Sequence, residues 1–335
     1  MSWFSKVAWK EGLFLQPQHL QQADRYHEHL VNARTRLITP YPWGVGELVL
    51  DRDQAQQGMI ALRAVAGIMP DGTPFDAPGT GPLPLPVQVP DDAAGQFVWL
   101  TLPDSSPNMR DASPYEDENA MTRWGVMTET VSDSASSARI EQVLELAVPR
   151  LELAVRKTPR PGYQNLRLAR ISEVRDGVVT LDETFPPPAL VIGAHPQILG
   201  YLTRVIGWIE ARLESLARYA TDPSAGGGLQ ASDYLMLMSL NRQIGVLRHL
   251  SRTLAIHPET LYRELVALAG ELTLLKGERQ SSFSRITRLS FEQLQKLVSE
   301  EWQRNNTDML SPGEDDTGRT TAEIIQDEVK DAARC

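Results

Sequence analysis

The hydrophobic positions of this chain keep two different periods, and the change falls near residue 195. Over residues 45–181 apolar residues come in short runs with turn chemistry between them. Residues 45–50 and 59–68 are strand-like, and Pro70-Asp71-Gly72-Thr73 closes the second with a turn. Residues 97–102 form a compact apolar run. Residues 121–131 and 151–155 are further candidates, and 166–174 alternate through Leu166, Leu168, Ile171 and Val174. Asp176-Gly177 then supplies a hairpin turn into 178–181. From Pro196 the period becomes helical. Leu199, Leu202, Ile206, Ile209, Leu213 and Leu216 form a heptad seam. A second helix carries Leu237, Leu240, Ile244, Leu247, Leu250 and Leu254. A third, entered through His257-Pro258, carries Leu261, Leu265, Leu268, Leu272 and Leu275. Ser290-Phe291-Glu292-Gln293 reads as the capping box of a fourth.

These periods predict an α+β chain: an antiparallel β-sandwich followed by an antiparallel helical bundle. Residues 1–36 form an arm and a helix, 37–192 the sandwich and 193–306 the bundle. Residues 307–335 form an acidic tail, too poor in large apolar groups to fold alone. Periodicity alone favours the helical seams as core over the seams as an interface.

A net charge of -10 with no basic stripe argues against a nucleic-acid binder. The single cysteine, Cys335, permits no intrachain disulfide and fits a reducing compartment. Residues 1–10 lack the apolar centre of a signal peptide, and no apolar run approaches the ~20 residues of a membrane span. The expectation is a cytoplasmic protein without direct membrane insertion.

Candidate chemistry is sparse. There is no phosphate-binding glycine loop and no nucleophile elbow. His19, Asp24, His27, Glu28 and His29 are close in sequence; on a helix His19 and His27 roughly share a face but His27 and His29 do not, so the three or four converging ligands of a metal site are not expected. Asp91-Asp92 and Asp315-Asp316 lie in loop-like stretches and read as solvated, and His257 reads as a helix cap. No catalytic, cofactor or metal residue is assigned.

The first residues differ. Trp3, Phe4, Val7, Trp9, Leu13, Phe14 and Leu15 put a large apolar load ahead of Pro17. Such groups either pack on their own domain or await a partner, for which aromatics are favoured anchors. The residues alone leave these two readings level.

Trp9-Lys10-Glu11-Gly12-Leu13-Phe14-Leu15-Gln16-Pro17-Gln18-His19-Leu20-Gln21 resembles the opening signature of the TssK family, baseplate subunits of type VI secretion. Tyr41-Pro42-Trp43-Gly44-Val45, Gly67-Ile68-Met69-Pro70-Asp71-Gly72-Thr73, Phe185-Pro186-Pro187-Pro188 and His257-Pro258-Glu259-Thr260-Leu261-Tyr262 resemble later family segments in the same order, as does Leu268-Ala269-Gly270-Glu271-Leu272. The resemblance covers about residues 6–275. It implies a sandwich like the shoulder of phage receptor-binding proteins, a helical neck and a homotrimer. It also implies a structural adaptor with no active site and no cofactor. That adaptor docks its arm and shoulder onto the TssF–TssG wedge, at the cytoplasmic face of the inner membrane. The resemblance also favours the partner reading of the arm, whose residues expected to bind are Trp3, Phe4, Val7, Trp9, Leu13, Phe14, Leu15, Gln18 and His19. Family members carry a further head that meets the membrane-complex subunits TssL and TssM. After Lys276 the pattern departs from the family and the head is expected to be absent, which puts those two contacts in question.

Two rival readings stand beside this one. The first is a β-sandwich carbohydrate-active enzyme or carbohydrate-binding module with a helical extension. It needs exposed aromatics with convergent polar groups on a concave face, whereas Trp99 and Trp124 lie among apolar neighbours. The second is a chaperone-like binder of exposed segments, supported by the aromatic arm alone.

Overall fold

The computed structural model describes residues 3–107, 109–117, 120–135, 139–221 and 231–274. The chain divides into two compact units. One comprises Met1–Ile206 with Leu247–Leu261, the other Gly207–Val246 with Tyr262–Cys335.

The first unit opens with helix α1 (Pro17–Ile38) and then builds its sheets. Strands β1 (Gly44–Leu50), β3 (Leu62–Ile68) and β4 (Pro74–Ala77) form an antiparallel sheet in that order. The short helix α2 (Arg52–Ala55) and strand β2 (Met59–Ile60) fall between β1 and β3, and β2 pairs with β5 (Val87–Gln88). A four-stranded antiparallel sheet has the order β10 (Glu152–Arg156), β6 (Phe97–Pro103), β11 (Tyr163–Arg175), β12 (Val178–Leu181). A third sheet joins β7 (Ala112–Pro114), β8 (Trp124–Ser132) and β9 (Glu141–Pro149).

Strand β6 is the centre of the core. Every residue after Phe97 is buried, so both of its faces are covered. That is why it reads as an unbroken apolar run rather than an alternating one. The one polar atom of the Trp99 ring donates to the Arg156 carbonyl at 3.0 Å, which lets the indole sit in the core without an orphaned donor. The buried Arg167 guanidinium lies over the Phe97 and Trp99 rings, at 4.6 and 4.9 Å. Trp99 is thus core, as its apolar neighbours suggested, whereas Trp124 is only half-buried.

Among the described residues the strands pair antiparallel with two exceptions. β7 and β8 pair in parallel over three residues, and Val45 makes an isolated parallel bridge to Ala189. Gly44 enters β1 at φ +134, and a Cβ there would come within 2.8 Å of the Pro188 carbonyl, so this approach needs glycine.

The helical elements are α3 (Pro196–Thr221), α4 (Ala231–Arg252) and α5 (Pro258–Leu274). His195 accepts from the Gln197 amide at 3.3 Å, and burial holds its imidazole below the ordinary value. His257 caps α5 by accepting from the Glu259 amide at 3.1 Å, with its other ring nitrogen 3.1 Å from the Tyr41 carbonyl. The second of these bonds ties the helical entry to the strand entry within the first unit. In that unit Leu202, Val205, Leu247, Leu250 and Leu261 are buried.

In the second unit Ile209, Leu216, Leu240, Ile244 and Leu268 are buried. There the buried Gln243 donates to the Glu264 carbonyl at 3.2 Å and to its carboxylate at 2.9 Å, while Ser239 and Arg242 both reach Glu271. The helical seams are therefore core. One assignment changes: α4 stops at Arg252, leaving Leu254 half-exposed while its carbonyl accepts from the Gly193 amide at 3.0 Å. The expected fourth helix at Ser290 and the acidic tail lie outside the described residues.

Candidate docking surface of the N-terminal arm

Helix α1 starts cleanly for local reasons. Pro17 takes the first helical position, where a missing N–H costs nothing. His19 Nδ1 accepts from the Gln16 amide at 3.1 Å, doing the work that Glu or Gln does in a capping box. His19, expected as a partner contact, thus has a structural task.

None of the residues of α1 is buried. Its polar side nevertheless holds the chain that precedes it. Gln22 donates to the Trp3 carbonyl at 3.1 Å and the Ser5 carbonyl at 2.6 Å. Arg25 lies 4.3 Å over the Trp3 ring, and Phe4 stacks on His29 with ring centroids 4.3 Å apart. These contacts lay residues 3–6 along the helix.

Further along the arm is more exposed, although the Trp9 ring still lies 6.3 Å from the His19 ring of α1. Trp9 is 53% exposed and Phe14 81%, and Leu13 and Leu15 are exposed with them. The turn there has Gly12 at φ +78 and a Leu13 amide bonded to the Lys10 carbonyl at 3.2 Å. The nine predicted arm residues thus fall into three sets. Trp3 and Phe4 are clamped to α1, with half-buried Val7 after them. Trp9, Leu13, Phe14 and Leu15 face solvent together, and Gln18 is exposed beside them. His19 is the cap.

The far end of α1 is fixed by the turn Pro70-Asp71-Gly72-Thr73. Arg36 donates to the Pro70 carbonyl at 3.0 Å, and Asn32 reaches the Asp71 carbonyl at 3.5 Å. Gly72 has φ +99, and a Cβ on it would lie 2.5 Å from the Asn32 carboxamide. Beneath the turn Arg123 is 5% exposed. Its guanidinium pairs with the Asp71 carboxylate and the Thr73 hydroxyl, and donates to the Pro103 carbonyl at 2.8 Å. Asp71 also accepts from the Thr73 amide at 3.0 Å. One buried cation thus joins the end of β6, the start of β8 and the turn that carries α1. Sequence reasoning found the turn and missed Arg123, since an arginine before a strand carries no sign of burial.

Chemically the surface offers apolar and aromatic groups on a short exposed segment, which suits binding rather than bond-making. Among the described residues no cluster of three His, Cys, Asp or Glu side chains is placed to hold a metal ion, and no helix is long and apolar enough to cross a membrane.

Three kinds of comparison bear on this chain. The family described as bacterial type VI secretion, VC_A0110, EvfL, ImpJ, VasE matches residues 19–298, which runs past Lys276. The type VI secretion system baseplate component TssK1 of Pseudomonas aeruginosa is 37% identical over 272 residues, 81% of this chain, and the chain spans 61% of that relative's length. A crystal structure of TssK superimposes with a TM-score of 0.77 at 27% identity, covering 92% of this chain and 70% of that one. The TssK-TssF-TssG baseplate subcomplex resolved by cryo-electron microscopy gives a TM-score of 0.74 at 23% identity, over 90% of this chain and 99% of the matched one. A further relative matches a short stretch. The ABC transporter ATP-binding protein ModF of Escherichia coli K12 is 91% identical over 69 residues, 21% of this chain and 14% of that protein.

Proposed function

The chain belongs to the bacterial type VI secretion family of which TssK1 is a relative, and from that membership we propose that it is a structural adaptor of the secretion baseplate that docks through its N-terminal arm. The observation that carries the docking role is the exposure of Trp9, Leu13, Phe14 and Leu15, ahead of a helix capped at its start by His19 and tied at its far end to the Pro70 carbonyl. A soluble surface does not keep Trp9, Phe14 and Leu15 together in water without use. The partner proposed is the TssF–TssG wedge, since a similar fold occurs in a TssK-TssF-TssG subcomplex.

In this reading the protein is a homotrimer, works on the cytoplasmic side of the inner membrane and catalyses no reaction. The carbohydrate-binding alternative is weakened by Trp99, which is wholly buried and so cannot line a sugar platform. The resemblance assigns the TssL and TssM contacts to a head beyond the neck, and they form no part of this proposal. The stretch shared with ModF covers 21% of this chain. At 14% of that protein it is too small a share to bring its activity.

The test is a co-expression pull-down with TssF and TssG, comparing the full chain with a variant carrying Trp9→Ser, Phe14→Ser and Leu15→Ser. Loss of co-purification with an unchanged thermal melt supports arm docking. Equal recovery of the wedge with both chains overturns it.

A further inference from the structure

Helix α1 is inside-out. At 100° per residue, Gln22, Arg25, His29, Asn32 and Arg36 fall on one side, the side that holds the arm and the Pro70–Thr73 turn. The opposite side carries Leu20, Leu30, Val31, Leu37 and Ile38 within one arc, and all five are exposed, Leu37 by 88% and Ile38 by 80%. An amphipathic helix ordinarily buries that stripe. Arg34 lies in the middle of it and is exposed.

A second unpartnered face of matching character stands on the β8–β9 ribbon. Its register pairs Met127 with Leu146, Glu129 with Leu144 and Val131 with Gln142, so these side chains share one face. Val131, Leu144 and Leu146 are exposed there, and Glu129 is the one acid among them. Among the described residues neither Arg34 nor Glu129 has an ion-pair partner in its own chain. A two-stranded ribbon with both faces in water is marginal by itself.

We propose that the β8–β9 ribbon of one copy packs on the apolar stripe of α1 of the next copy, with Glu129 against Arg34. Charge selects this occupant. Pairing α1 with α1 would set Arg34 beside Arg34, and pairing ribbon with ribbon would set Glu129 beside Glu129. Only ribbon on helix matches one acid to one base inside two apolar faces. Such an interface is head-to-tail, and repeated by rotation it closes a ring, as a trimer requires. The inference rests on the homotrimer of the proposed function and names the surfaces that build it.

The experiment measures the mass of the full chain, without wedge subunits, by light scattering after gel filtration. Glu129→Arg and Arg34→Glu are compared singly and together, each with a thermal melt to confirm folding. The expected result is a trimer for the unaltered chain, dissociation at least tenfold easier in each single variant, and recovery in the double variant. Folded single variants that remain trimers to the same dilution would overturn the ribbon-on-helix interface while leaving the trimer standing. A monomeric unaltered chain would overturn both, yet leave wedge docking through the arm to its own pull-down. As a second readout, Leu37→Cys and Leu144→Cys in a Cys335→Ser background should cross-link between copies; a cross-link confined to one copy would contradict the proposal.

Discussion

Replacing Arg123 by Met should destabilise the first unit more than any exposed charge could. The guanidinium serves Asp71, Thr73 and the Pro103 carbonyl from a side chain that is 5% exposed. Met fills much of the volume and supplies no donor, so a carboxylate, a hydroxyl and a carbonyl lose their partner. Breaking a buried ion pair from one side costs about 3–5 kcal/mol. The Asp71 side chain is 29% exposed, so water recovers part of the loss and the lower end applies, about 3 kcal/mol. For a unit of this size that lowers the melting midpoint by roughly 6–12 °C. Asp71→Asn keeps an acceptor for the Thr73 amide and removes the charge, so it should cost about half as much. The double variant should melt higher than the two single losses predict, because the pair is then removed from both sides. Melts followed by circular dichroism decide the matter. A drop below about 2 °C for Arg123→Met would refute the argument that this cation holds the turn.

Four further outcomes follow from the same geometry. Burial holds His195 below its ordinary value, so the unfolded chain binds the extra proton in the window below 6.5. The stability contributed by the neutral ring is complete above that value and is lost as pH falls through the window. His195→Asn, which keeps an acceptor for the Gln197 amide, should flatten the stability profile between about pH 7 and pH 5; parallel urea curves would contradict this. His257→Ala removes a cap and the bond to Tyr41, at a cost of about 1–2 kcal/mol, and His257→Asn should restore only the cap share in the same melts. Gly72→Ala meets both a φ of +99 and the Asn32 carboxamide, so it should cost about 2 kcal/mol, less in an Asn32→Ala background. Trp9→Ala should weaken capture of TssF–TssG while moving the melting midpoint by less than about 1 °C; a large drop would make the arm part of the core.

The periods of the chain made the architecture legible, and the failures are local. Strand β6 was visible because it is buried from Val98 onward, and β11 because its large apolar residues alternate, although Asn165 and Arg167 beside them are buried too. The heptad seams were visible for the same reason, and they proved to be core. The end of α4 was misplaced because Leu254 continues the spacing although the helix has stopped; periodicity records side-chain type and is silent on the Leu254 carbonyl that serves Gly193. The parallel pairing of β7 with β8 was hidden too, since three residues are too few to carry a period. In the arm the residue types announced a surface but could not divide it. That Trp3 and Phe4 are clamped along α1 while Phe14 stays exposed depends on Gln22, Arg25 and His29, three ordinary polar residues of a helix. The cation that fixes the turn under α1, Arg123, gave no signal at all.

The same helix explains how one short element could serve two interfaces at once. A helix of 22 residues without a buried side chain has little tertiary packing to hold it, and isolated helices of that kind are marginal in water. Its polar side is occupied by the arm and by the Pro70–Thr73 turn, and its apolar side is open. Covering the apolar side would therefore add stability to the segment that carries the arm. Coupling of this sort needs no change of shape: ordering α1 on one side lowers the entropy lost when the arm binds on the other. Hydrogen exchange provides the check. The α1 amides should exchange quickly in the dissociated Glu129→Arg variant and more slowly in the assembled chain. That variant should also bind TssF–TssG more weakly, although Glu129 lies on the ribbon rather than on the arm. Equal exchange in the two states, with equal wedge affinity, would mean that α1 is already ordered by its own chain and that the two surfaces act independently.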